Sequence, residues 1–228
     1  AKMDMHIVVC IDEFQQIGEW ADSLTIQKRM RSVWQHQQHT SYCLFGSKKH
    51  LLANLFQNRR MPFYHFGDTI FLKPISTNDW IPFICGKFAE KGKKISEELV
   101  SKICTTVASH SSYVQQLAWN IMVNTETEVT DEIFQQSISE LLAQCSPLFI
   151  QQIQGLTTYQ MNLIRCLCQG VRKDFTSKDV LETYQLGSKS NISRLKKTLV
   201  EKEIIEEEGD TITLADPIFE LWFKREYM

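Results

Sequence analysis

Apolar residues recur along this chain with two different periods, one of strands and one of helices. Near the start, Ile7-Val8-Val9-Cys10-Ile11 is an unbroken apolar run rich in β-branched side chains, which predicts a buried strand of a parallel sheet. From Gly18 to His39 the apolar residues Leu24, Ile26, Met30, Val33 and Trp34 recur at roughly helical spacing, with Arg and Lys between them. Ser41-Tyr42-Cys43-Leu44-Phe45 is a second short apolar run, closed by Gly46-Ser47. A strand, a long crossover helix and a strand in that order predict parallel pairing. Helical spacing resumes from Lys48 to Phe56. Phe63-Tyr64-His65-Phe66 and Thr69-Ile70-Phe71-Leu72 read as further short strands or an extended turn, closed by Pro74.

Beyond Pro74 the pattern becomes purely helical. Ser76-Thr77-Asn78-Asp79 offers N-caps for a helix from Trp80 to Ala89 that Gly92 stops, and Ser96 with Glu97 and Glu98 opens one carrying Leu99, Ile103 and Val107. Tyr113 to Val123 makes a third, and Thr130-Asp131-Glu132 opens a fourth through Leu142, completing a small bundle. Pro147 is expected to begin the last unit. There, helices start at Thr157 or Thr158, at Thr176-Ser177 and at Ser188 or Ser190. Ile204 to Glu208, a Gly209-Asp210 turn and Thr211 to Leu214 then form a hairpin. Three helices followed by a hairpin is the winged helix-turn-helix pattern. The fold class expected is mixed α/β and mostly helical, in three parts: 1–75, 76–146 and 147–228.

Composition narrows the picture. The 228 residues are 43% hydrophobic with a formal net charge of -2, enough for a core divided among two or three small units. Near-neutral charge argues against indiscriminate coating of nucleic acid but allows a local basic face. The seven cysteines include no CxxC pair, and Cys166-Leu167-Cys168 is too close for a zinc clasp or a relaxed disulfide, so reduced thiols of a cytoplasmic protein are expected. The six histidines are dispersed, so His36 and His39 read as surface residues rather than metal ligands. No apolar run reaches bilayer-spanning length and no signal peptide is visible, so no membrane partner is expected. The chain opens almost directly into a core strand after Ala1-Lys2-Met3-Asp4-Met5, and is expected to be a piece of a longer protein.

Two places carry chemistry. Asp12 and Glu13 stand where the first strand ends, and in open α/β sheets ligands bind outside the carboxyl ends of strands, where acids can reach a metal or a water. The segment from Ser188 to Lys197 supplies Lys189, Arg194, Lys196 and Lys197 as phosphate contacts, with Ser190, Asn191 and Ser193 as base readers. Arg172 and Lys173 would add backbone contacts. Against this, Glu206, Glu207, Glu208 and Asp210 make an acidic wing that repels phosphate. The candidate DNA set is Lys189, Asn191, Arg194 and Lys197, with a protein contact as the alternative use of the same face.

Taken in order, several stretches resemble the archaeal-type ATPases of the STAND branch of AAA+ P-loop proteins. Ile11-Asp12-Glu13-Phe14-Gln15 looks like the Walker B segment, and Leu44-Phe45-Gly46-Ser47 is similar to the sensor strand. Ala108 to Leu117, containing Tyr113, resembles the lid motif beside the nucleotide base, and Leu214 to Phe223 the closing segment after the wing. The resemblance implies a partial P-loop ATPase core with a parallel sheet, then a helical lid, then a winged helix. It implies that the intact protein binds ATP and Mg²⁺ between core and lid. In that reading Asp12 coordinates the metal, Glu13 activates water, Ser47 senses the γ-phosphate and Tyr113 lies at the nucleotide. Lid closure would reposition the winged helix as a ligand-biased switch.

Three features depart from the family. No Gly-x-x-x-x-Gly-Lys-Ser/Thr occurs, and Gly46-Ser47-Lys48-Lys49 does not replace it; in the family this P-loop lies upstream of Walker B. Gly67-Asp68 stands where relatives place an arginine, leaving Arg59 or Arg60 as candidates. The lid motif has His110 and Ser112 where relatives have Gly and Pro. These 228 residues alone are therefore expected to hydrolyse no ATP. The alternative class is a non-enzymatic winged-helix module, binding DNA or protein, on an α/β scaffold.

Overall fold

A computed structural model describes residues 5–228; Ala1-Lys2-Met3-Asp4 and the side chains of Lys49, His50 and Glu208 lie outside the described residues. Backbone contacts divide the chain between Leu72 and Lys73 into two units. The class is mixed α/β and mostly helical, as expected.

In the first unit, β1 (Ile7–Ile11) pairs in parallel with β2 (Thr40–Leu44), Ile7 opposite Thr40 and Ile11 opposite Leu44. The connection is a 3-10 turn (Phe14–Glu19) and α1 (Ser23–Trp34), and α2 (Lys49–Gln57) follows β2. The helix expected over 18–39 is shorter because the 3-10 turn consumes its start, anchoring Phe14 and Ile17 in the core. Phe63 is fully buried, edge-on to Phe14 and Phe66 with ring centroids 5.4 Å and 5.3 Å apart, and Trp34 stacks on Tyr42 at 4.0 Å.

The segment containing Phe63 and Phe66, read as a short strand or an extended turn, is a turn. Arg31 explains it: its guanidinium donates to the carbonyl oxygens of Pro62 and Tyr64, taking up groups a strand would use in a ladder. Thr69 to Leu72 likewise forms no strand. One expectation is corrected: the β1 run, expected to be buried, has Ile7 54% and Val8 61% exposed. Among the described residues the sheet has two strands, and the core of Phe14, Ile17, Leu55 and Phe63 packs on Ile11 and Leu44, covering one face.

The second unit begins with α3 (Thr77–Glu90), α4 (Glu97–Thr106), α5 (Ser111–Asn124) and α6 (Asp131–Ile153). The hydroxyls of Ser76, Ser96 and Thr130 accept the N3 amides of α3, α4 and α6, as their positions predict. Then come α7 (Thr158–Cys168), α8 (Lys178–Thr183), α9 (Lys189–Glu201), the antiparallel pair β3 (Ile205–Glu208) and β4 (Thr211–Leu214), and α10 (Pro217–Tyr227). Thr157 and Gln160 form a capping box on α7, and Gly209 turns the hairpin with φ 60°. One continuous core runs from Trp80 to Phe223.

Pro147, expected to open a unit, lies inside α6. A proline there removes one helical hydrogen bond, but the turn around it is held from outside. Phe149 is fully buried with its ring centroid 5.4 Å from those of Phe219 and Trp222, and Trp222 Nε1 donates to Ser146 Oγ at 3.0 Å. Tertiary packing therefore overrides the local break signal. Among the described residues no helix is long and apolar enough to cross a membrane.

Candidate functional site

Parallel pairing brings the ends of β1 and β2 to one edge, and the ladder continues past both strands. Phe45 N donates to Ile11 O at 3.1 Å and Phe14 N to Phe45 O at 3.0 Å, so Asp12-Glu13 and Gly46-Ser47 become neighbours. Glu13 N donates to Asp12 Oδ1 at 2.8 Å. Its φ of 49° is a left-handed conformation that costs a non-glycine residue energy and is concentrated at functional sites. Ser47 Oγ donates to Glu13 Oε2 at 3.3 Å, and Gln15 Nε2 donates to the same oxygen. A Cβ on Gly46 would run into the Gln15 carboxamide, so the glycine makes room for it.

Three of the expected residues, Asp12, Glu13 and Ser47, are thus together. Asp12 is exposed and Glu13 half-buried. Their donors are all oxygens, the set that suits Mg²⁺ rather than a softer ion. Among the described residues no group of three His, Cys, Asp or Glu side chains could hold a metal by itself. An ion at Asp12 would therefore complete its shell with water or phosphate oxygens, as Mg²⁺ usually does. Gln15 and Gly46 were not among the residues expected in this site. The available signal was a polar Gln15 set within the apolar Phe14 and Ile17 of a segment that buries its side chains.

Tyr113 belongs to the second unit. It is half-buried at the start of α5, and its hydroxyl donates to Asp216 Oδ2 at 2.6 Å. Asp216 in turn caps α10, its Oδ1 accepting from Ile218 N at 2.7 Å and Phe219 N at 3.1 Å. Burial first, and the Asp216 carboxylate second, push the Tyr113 phenol well above its ordinary value.

On α9, Lys189, Arg194 and Lys197 are exposed while Ile192, Leu195 and Leu199 face the core. Asn191 is committed locally: Nδ2 donates to Leu186 O at 3.2 Å and Oδ1 accepts from Arg194 Nη2 at 3.2 Å, so it closes the turn and orients the arginine. Lys197 lies 3.8 Å from Glu201, and Lys196 lies 4.0 Å from Glu207 and over the Phe175 ring. Arg172 does not reach outward as expected. It donates to Leu167 O at the end of α7 and sits 3.5 Å from Glu220, because that helix end needs a donor. On the hairpin, Glu206, Glu207 and Asp210 are exposed, so the wing is acidic.

Comparison with known proteins bears on both units. The family model described as "probable winged helix domain" matches residues 147–225. These residues form a winged helix domain. The fold is similar to that of the Walker-type ATPase PABY2304 of Pyrococcus abyssi, with a TM-score of 0.72 at 16% identity, covering 96% of this chain and 63% of that one. The chain thus spans less than two thirds of that protein's length. The Aeropyrum pernix Orc1 protein, solved in complex with DNA, matches at 14% identity over 96% of this chain and 64% of that one, with a TM-score of 0.49, too loose a likeness to argue from. Among curated proteins none matches significantly. An ATPase-like fold ending in a winged helix is therefore present, as the motifs implied.

The Tyr113 hydroxyl ties the bundle to the last helix of the winged helix unit, and its titration tests the tie. Because the folded state holds the phenol neutral, its contribution is complete below the unfolded value of 10.0 and is lost as pH rises above it. Tyr113→Phe is expected to cost about 1–3 kcal/mol at neutral pH, measured by urea unfolding, since it leaves a carboxylate oxygen without its donor. It is also expected to flatten the fall in stability from about pH 9 to about pH 11 relative to the parent. Equal stability and equal alkaline slopes would contradict the assignment.

Proposed function

We propose that these residues are the Walker B part, lid and winged helix of a nucleotide-dependent molecular switch of the STAND type, one that binds and hydrolyses Mg-ATP. The observation that carries this reading is the meeting of Asp12, Glu13 and Ser47 at the carboxyl edge of a parallel strand pair. It gains weight from a fold similar to that of a Walker-type ATPase. Bound Mg²⁺ would supply charge neutralisation at the phosphates. Asp12 would hold that ion through its coordination shell, Glu13 would accept the proton of the attacking water, and Ser47 would read the γ-phosphate.

The phosphate cradle itself has no counterpart in the 228 residues, which lack a Gly-x-x-x-x-Gly-Lys-Ser/Thr sequence. Under this proposal it comes from chain beyond them. The exposed Ile7 and Val8 of β1 support that, because such apolar surface is the kind further core covers. Alone, the 228 residues are expected to show no turnover. Tyr113, engaged with Asp216, would serve the lid by holding its first helix rather than by touching the base.

In the full-length protein, Glu13→Gln is expected to keep ATP binding while lowering kcat by roughly 10²–10⁴-fold, the usual range for loss of a general base. Unchanged turnover in that variant would refute the role of Glu13.

For the winged helix, the exposed Lys189, Arg194 and Lys197 favour a nucleic-acid backbone contact led by α9. A gel shift at low salt is expected to show duplex DNA binding that Arg194→Glu weakens by about tenfold or more. No shift, or one indifferent to Arg194→Glu, would refute DNA contact through α9.

A further inference from the structure

We propose that Gln15 is a positioning residue for Glu13: its buried carboxamide, given room by Gly46, clamps the Glu13 carboxylate against Ser47 and fixes which carboxylate oxygen is presented for proton transfer. This rests on the reading of Glu13 as the water-activating base.

Both donors of the clamp, Gln15 Nε2 and Ser47 Oγ, converge on Oε2, so Oε1 lies outside it. Only one orientation of the carboxamide is attractive here, since turning it over would set its oxygen against the carboxylate. Gln15 is 2% exposed, and its Oε1 is buried with no hydrogen-bond partner. A side chain present only to fill space beside Phe14 and Ile17 would do better as an apolar one, because a buried amide oxygen without a donor costs stability. Gln15 thus uses its polarity in one direction, toward Glu13. Gly46 agrees with this, since a Cβ there would displace the carboxamide. Glu13 itself stands in a left-handed backbone conformation, so its side chain reaches this position only under constraint.

The test compares Gln15→Met, which keeps volume and loses the donor, with Gly46→Ala and Glu13→Gln in the full-length protein. The readouts are kcat, the KM and Kd for Mg-ATP, and the melting temperature. Gln15→Met is expected to lower kcat on the order of tenfold. Its KM and Kd should stay within about twofold, with a melting temperature equal to or above the parent's. Gly46→Ala, which retains Gln15, is expected to lower kcat as well, but to add no further loss in a Gln15→Ala background, where the clamp is already absent and the methyl group has its space. Unchanged kcat in either Gln15→Met or Gly46→Ala, with Glu13→Gln inactive, overturns the role of Gln15 and leaves the site reading intact. A loss of kcat in Gln15→Met that comes only with a lowered melting temperature assigns Gln15 to the core and also overturns it. Unchanged turnover in all three variants overturns the reading of the site itself, and this inference with it.

Discussion

The parallel register of β1 and β2 is the constraint on which the first unit depends. Because Ile11 faces Leu44, the residues that follow each strand leave the sheet side by side at one edge. Any two-residue slip would carry Ser47 beyond reach of Glu13, and a one-residue slip would also turn Ile11 or Leu44 away from the core. The register is held by packing as much as by the ladder, through Phe14, Ile17, Leu55 and Phe63 beneath Ile11 and Leu44. The 3-10 turn after β1 serves both purposes. It buries Phe14 and Ile17 and, between them, delivers Gln15 to Glu13.

The second unit is organised differently, by one core that runs through bundle and winged helix alike. Continuous helix α6 and the Trp222 hydrogen bond to Ser146 tie the two regions, and Tyr113 with Asp216 adds a polar tie. Bundle and winged helix therefore share one core rather than being joined by a linker. Charge on the winged helix is divided. Lys189, Arg194 and Lys197 stand on α9, whereas the hairpin bears Glu206, Glu207 and Asp210, and Lys196 near Glu207 partly joins the two.

Much of this was legible in the sequence because the local signals agree with the packing. Ser76, Ser96, Thr130 and Thr157 cap the helices their positions announce, and Gly209 turns the hairpin. Asp12 and Glu13 were legible from their place at a strand end, and Ser47 from the resemblance of its segment to a sensor strand. What escaped is set by partners far along the chain. Arg31 decides for a turn in an apolar stretch that reads equally as strand or turn, and Phe149 with Trp222 carries α6 through Pro147. Arg172 turns inward to a helix end. Gln15 was missed because an amide between two core residues has no periodic signature; only the geometry couples it to Gly46.

The central claim is that the acid pair at the end of β1 belongs to a nucleotide site. Isothermal titration calorimetry of the full-length protein with Mg-ATP tests it most directly, because a scaffold that carries only a winged helix has nothing to bind. The account predicts saturable heat that requires Mg²⁺ and is diminished by Asp12→Asn. Absence of heat, or heat indifferent to both the metal and Asp12, would contradict it.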